Sequence, residues 1–166
     1  MKRVPVFSHF DQSRLSLGLL TLGLCSIGLF SRAQSYEEQA VAAVLMGEAW
    51  SEGTNGMTAV AEVIHQRAKD KGWTPLRVVT SHRGRVHAFS CLNGTTMDLL
   101  ITRFKTQPDF KTALEIARTA CQNPGQLPGL TKAADHFSRV EEQPYWAKGH
   151  EPVVIIGRHA FYRLKR

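Results

Sequence analysis

Cysteine is scarce in this 166-residue chain: there are three, with no Cys-x-x-Cys among them. That excludes a disulfide-stapled scaffold. The two that remain after residue 33 are too few for a tetrahedral zinc site unless histidines join them. Seven histidines are present, but no His-Glu-x-x-His and no other tight ligand spacing. The longest apolar tract, Leu15 to Phe30, has about 16 residues, short of the ~20 that a membrane span needs. No Lys/Arg stripe is interleaved with aromatics, which argues against a nucleic-acid surface. There is no internal repeat and no low-complexity linker. Carboxylates are also few, 14 against 21 Lys and Arg, so chemistry that needs a pair of them has little to draw on.

What is present reads as one globular domain behind a leader. Hydrophobic content of 43% and charged content of 21% suit a packed core rather than disorder. Lys2, Arg3 and Arg14 precede the apolar tract, and Ser31-Arg32-Ala33 follows it with small residues at the positions a signal peptidase reads. This predicts a signal peptide over residues 1–33, export of residues 34–166 to a periplasm or cell wall, and membrane attachment only if the leader is retained as an anchor. Cys25 follows Leu24, not the small residue a lipoprotein signal wants. The leader holds four of the basic residues and one of the acidic ones. The domain therefore keeps a modest positive balance, which suits an anionic polymer such as a cell wall. In an exported protein, Cys91 and Cys121 form an even pair that suggests a disulfide, with two buried free thiols as the alternative.

The centre of the pattern is Val41-Ala-Ala-Val-Leu-Met-Gly-Glu-Ala-Trp50. Val41, Val44 and Leu45 make one helical stripe, and the next position on it is Glu48. A carboxyl group placed among core residues is disfavoured in its ionised form, as a general acid working near neutral pH requires. The alternative is a half-exposed glutamate at a helix end. Ser35 and Glu38 form a capping box that starts this helix. Gly53 to Gly56 reads as a turn, and a second helix is expected from about Met57 to Lys69, stopped by Gly72. Leu76 to Val79 is apolar and of undetermined type. Ser81 to His87 reads as a basic loop, and Ala88 to Gly94 as a short buried segment ending in a turn. A third helix is expected from Asp109 to about Gln122. Ala133 to Phe137, Val153 to Ile156 and His159 to Tyr162 are strand candidates, the last two as a hairpin. The class is α+β, helices first and then a small antiparallel sheet.

Five segments in fixed order carry a family likeness: Gly47-Glu-Ala49; Ala59-Val-Ala-Glu-Val-Ile64 with Arg67; Phe89-Ser-Cys91 with Asn93; Pro144-Tyr-Trp-Ala147; and Ile156-Gly-Arg-His-Ala-Phe-Tyr-Arg163. Together they resemble the SleB/CwlJ-type cell wall hydrolases, the catalytic domain of spore cortex-lytic enzymes, over about residues 38 to 163. The chain departs from the pattern at Ala88, where Gln is expected, and at Leu92, where an aromatic is common. The resemblance implies a lysozyme-like fold related to lytic transglycosylases. It implies peptidoglycan as the partner polymer and cleavage of the glycan strand between N-acetylmuramic acid and N-acetylglucosamine. It also implies Glu48 as the catalytic acid.

Glycoside cleavage needs a proton donor and a means of capturing the oxocarbenium-like centre. The candidates for a second carboxylate are Glu52, otherwise a solvated turn residue; Glu62, otherwise paired with Lys or Arg; and Asp135. Their shortage favours transglycosylase chemistry, in which one glutamate serves as acid and then base. Tyr145 and Trp146 offer flat faces for sugar rings, Trp146 alternatively folding onto the core. Ser90 and Asn93 are read as binding an acetamido group, orienting Glu48, or capping turns. His136 is read as a substrate donor or a structural histidine. No cofactor and no metal is called for, and a restraining protein partner would suit a wall-lytic enzyme. The competing readings are a zinc-dependent N-acetylmuramoyl-L-alanine amidase, a Cys91 nucleophile, and a non-catalytic wall-binding module.

Overall fold

The computed structural model describes residues 34–164; the leader read over residues 1–33, with Cys25, lies outside the described residues. The fold is built around α1, Tyr36–Ala49. Its start is the expected capping box: Ser35 Oγ accepts from the Glu38 N–H and Glu38 Oε2 accepts from the Ser35 N–H, both at 3.2 Å. Every residue from Ala40 to Met46 is buried. An α-helix that is apolar all round belongs inside a domain. Accordingly α1 packs against four helices: α2 (Gly53–Lys71), α3 (Pro75–Val79), α4 (Met97–Phe104) and α5 (Phe110–Gln122).

This corrects the stripe reading of Glu48. From Ala40 to Met46 burial does not depend on the side of the helix, and only in the last turn does one side, that of Ala49, stay buried. Gly47 is exposed, Glu48 half-buried and Trp50 exposed, because here the helix emerges from the core. The Gly53–Gly56 turn is also corrected. The chain turns one step earlier, in a single 3₁₀ turn at Trp50–Glu52, and α2 begins at Gly53. Gly56 is needed for a close approach: a Cβ there would lie 2.2 Å from Glu52 Cβ. Gly72 ends α2 in the left-handed conformation at φ 62°, as expected of a glycine stop.

Leu76 to Val79 belongs to α3, started by the Thr74 cap and Pro75. The basic segment is a small antiparallel hairpin, β1 (His82–Arg83) with β2 (Val86–His87), turned by Gly84 at φ 60°. Helix α4 had no counterpart in the sequence reading; it is capped by Thr96 and buries Leu100, Ile101 and Phe104.

The three-stranded sheet is antiparallel in the order β3 (His136–Arg139), β5 (His159–Tyr162), β4 (Val154–Ile156). Phe137 pairs with Phe161 and Arg139 with His159 across β3–β5, and Ile156 pairs with His159 across β4–β5. The sheet packs on α2 through a second cluster in which Ala59, Val63, Ala134 and Phe161 are fully buried. Helix α2 thus joins α1 on one side to the sheet on the other, and Glu48, near the end of α1, lines a cleft with Ser138, Arg139 and His159 of the sheet.

Candidate active site

Glu48 is reached by the 3₁₀ turn Ser90–Leu92, which Phe89 and Leu92 anchor in the core. The Cys91 backbone N–H donates to Glu48 Oε1 at 2.8 Å, and the Ser90 hydroxyl donates to Oε1 at 3.1 Å and reaches Oε2 at 3.4 Å. The carboxylate is therefore fixed by three donor contacts from a neighbouring turn. Gly47 makes this approach possible: a Cβ at position 47 would lie 2.6 Å from Cys91 Cβ and 2.9 Å from its Sγ. The glycine preceding the glutamate is a packing requirement of the site, not a helix breaker.

Both thiols are free, so of the two readings of Cys91 and Cys121 the structure has the unbonded pair, not the disulfide. Cys91 lies against Gly47 at the end of α1, while Cys121 feels the charges of Glu37 and Glu38 at its start. Nine residues of helix separate the two neighbourhoods, roughly 14 Å at the rise of an α-helix. A disulfide holds its Cα atoms about 6 Å apart. Burial, with the charge of Glu48 and a hydrogen bond to it, pushes the Cys91 thiol well above its ordinary range. Burial first, then Glu37 and Glu38, pushes Cys121 up to about 12. A protonated, buried thiol is a poor nucleophile, which removes the support for Cys91 as one.

The three expected second carboxylates are each held by structural partners. Glu52 is neither a free second carboxylate nor a solvated turn residue. Its side chain is 9% exposed, it accepts the Arg158 N–H at 3.0 Å, and its Oε1 lies 3.5 Å from Arg158 Nε. It braces the β4–β5 turn, where a Cβ on Gly157 would strike its Oε2 at 1.9 Å. Glu62 is buried and has no Lys or Arg partner among the described contacts. It accepts the backbone N–H groups of Leu130 and Thr131 and the Thr131 hydroxyl, at 2.7 to 2.8 Å. This pins a loop whose next residues, Lys132 and Ala133, sit at positive φ. Asp135, also buried, accepts the Leu164 N–H at 2.9 Å and contacts His136 Nδ1 at 3.0 Å.

Around Glu48 lies a cleft of about 190 Å³, lined also by Arg67, Ser90, Arg139, Glu142 and His159. A larger groove of about 1210 Å³ shares Arg67, Ala88 and Phe137 with it. The expected binding residues divide between them. Ser90 belongs to the Glu48 cleft. His136, Tyr145 and Trp146 line the groove, with Trp146 edge-on to Tyr162 at 5.4 Å and 5.1 Å from the His136 ring. Trp146 is thus half-buried against the sheet with its remaining surface on the groove, and Tyr145 is 86% exposed. Asn93 joins neither; it accepts the His87 N–H at 3.1 Å and caps a turn. Sequence reasoning passed over Glu142, which nothing local marks, and gave no site role to Arg67 or His159, although both stand in the family segments. Among the described residues, no three His, Cys, Asp or Glu side chains converge on a point that could hold a metal ion.

A family model described as Cell Wall Hydrolase matches residues 51–162. The chain belongs to the cell wall hydrolase family. It is a SleB/CwlJ-type domain and a peptidoglycan hydrolase. The match opens three residues past Glu48, so membership rests on the remainder of the chain and the case for Glu48 on the geometry above. No curated protein and no solved structure matches the chain. The α+β order of this cell wall hydrolase, helices first, is the expected one and is consistent with a lysozyme-like domain.

Proposed function

We propose that this cell wall hydrolase cleaves the glycan strand of peptidoglycan between N-acetylmuramic acid and N-acetylglucosamine as a lytic transglycosylase, with Glu48 as acid and then base. The observation that carries this is the fixing of one carboxylate at the cleft by the Ser90 hydroxyl and the Cys91 N–H, while Glu52, Glu62 and Asp135 are bound to structural partners. Protonated Glu48 gives its proton to the glycosidic oxygen as the bond from C1 breaks. The resulting carboxylate takes the proton of the muramyl 6-hydroxyl, O6 bonds to C1, and a 1,6-anhydro end forms with Glu48 again protonated. The nucleophile belongs to the same sugar, so no water need be positioned.

In this reading the groove receives the saccharide beyond the cleft, with Tyr145 and Trp146 beneath its rings and His136 beside them. Residues 1–33 act as a secretion leader that delivers the domain to the periplasm or wall. No helix of the described residues is long and apolar enough to cross a membrane.

Glu142 supports a second reading. It lines the same cleft, and as a base activating water it would make the enzyme a hydrolase. Mass spectrometry of digested peptidoglycan separates the two. The proposal expects anhydro-muropeptides, made equally by the Glu142→Gln variant. Reducing ends that vanish in Glu142→Gln would establish hydrolysis. Released stem peptides with intact glycan would make the enzyme an amidase, and bound but uncut polymer would make it a binding module.

A further inference from the structure

We propose that His159 is a substrate-contacting residue of the Glu48 cleft, its imidazole donating a hydrogen bond to an oxygen of the amino sugar placed against Glu48. This rests on the functional reading above and adds a recognition residue to it.

The residue is only 6% exposed, and its Nδ1, sealed from solvent, has no hydrogen-bond partner. Buried polar groups are nearly always paired, and leaving one unpaired is costly. The ring is not loosely placed. It sits in the central strand, paired on one side with Arg139 and on the other with Ile156. Phe137 meets it edge-on at 5.6 Å and Phe161 lies 6.4 Å away. A rigid, unpaired imidazole lining a catalytic cleft is a preorganised contact for whatever fills that cleft.

The tautomer follows from the sealed nitrogen. An orphaned N–H is rarer in proteins than an under-used acceptor, so Nδ1 is assigned the lone pair and Nε2 the proton. His159 lines the cleft and its Nδ1 is sealed, so Nε2–H is the donor it has to offer a ligand there. Acetamido carbonyls and hydroxyls, the groups that mark an amino sugar, accept such a bond. Burial lowers the pKa of the imidazole, against the charges of Glu52 and Glu48 and with those of Arg139 and Arg158. Arg67 and Glu142 complete the charged lining of the cleft. Glu52 does not claim the ring, because its carboxylate is committed to Arg158.

The test uses the full chain and a soluble N-acetylglucosamine–N-acetylmuramic acid oligomer as the probe. In a Glu48→Gln background, calorimetry compares His159, His159→Phe, His159→Asn and His159→Gln. Gln can place an amide N–H near the position of Nε2, Phe cannot, and Asn covers the case in which Phe does not fit. Loss of one buried hydrogen bond predicts about 10- to 100-fold weaker binding for Phe and Asn, with Gln restored to within about fivefold. With Glu48 intact, the kcat/KM for glycan cleavage should fall in the same order. Binding by Phe or Asn within threefold of the parent, or equal loss in all three variants, overturns the proposal while glycan cleavage by the native chain stands. No binding and no glycan cleavage by the native chain overturns the functional reading and this one with it.

Discussion

Gly47→Ala is the substitution most at odds with local rules. Position 47 lies inside α1, where Ala is favoured over Gly by roughly 1 kcal/mol, so helix propensity predicts a gain. The packing predicts the reverse. The new Cβ would stand 2.6 Å from Cys91 Cβ and 2.9 Å from Sγ, against the ~3.5 Å at which carbon atoms rest. The turn carrying Ser90 and Cys91 must retreat by roughly 1 Å. The Cys91 N–H to Glu48 bond, now 2.8 Å, then passes the ~3.2 Å limit of a normal hydrogen bond. Overpacking of this kind costs about 1–3 kcal/mol and the helix gain offsets roughly 1 kcal/mol of it, so the net loss is about 0–2 kcal/mol and the melting temperature should fall by no more than several degrees. Catalysis should move much more, since a displacement of ~1 Å in a catalytic group can cost on the order of 100-fold. Clearance of peptidoglycan suspensions, read beside a thermal melt, separates the effects. Cys91→Gly in the same chain removes both clashing atoms and should recover part of the activity. Gly47→Ala with activity within threefold of the native chain would refute the argument.

Three other outcomes follow from the same geometry. Glu52→Ala removes the brace on the β4–β5 turn and should cost about 1–3 kcal/mol in urea unfolding, while Arg158→Ala, losing an exposed partner, should cost less than about 1 kcal/mol. Burial lowers the pKa of both His65 and His159, with Lys69 adding to the effect at His65. The unfolded chain then binds more protons below about pH 6.5. Their contribution to stability is whole above that pH and is lost as pH falls, so the melting temperature should drop between pH 7 and pH 5, by less in His159→Phe. Cys91 and Cys121, both pushed upward, should resist iodoacetamide at pH 8 in the native state and react on unfolding, as peptide mapping would show.

The long elements were legible in the sequence because local signals and packing agree in them. The Ser35–Glu38 box starts α1, Gly72 ends α2, and the β-branched Val154–Ile156 pairs with His159–Tyr162 after a glycine turn. Glu48 was picked out for a partly mistaken reason. Its helix is buried on all sides, so periodicity could not place it, and its half-burial comes from lying at the emerging end. The brace made by Glu52 spans 106 residues to Arg158 and the anchor made by Glu62 spans 69 to Thr131. Carboxylates bound to backbone N–H groups that distant carry no spacing to read. His159 was visible in a family segment, but its lack of partners is a property of the folded site.

The most direct measurement is a product analysis of peptidoglycan digested by the native chain and by Glu48→Gln, folded to the same melting temperature. The account predicts glycan-strand products from the native protein and a loss of at least about 1000-fold in Glu48→Gln, since removing the proton donor removes both proton transfers. Glycan products released by Glu48→Gln at near-native rates would contradict it.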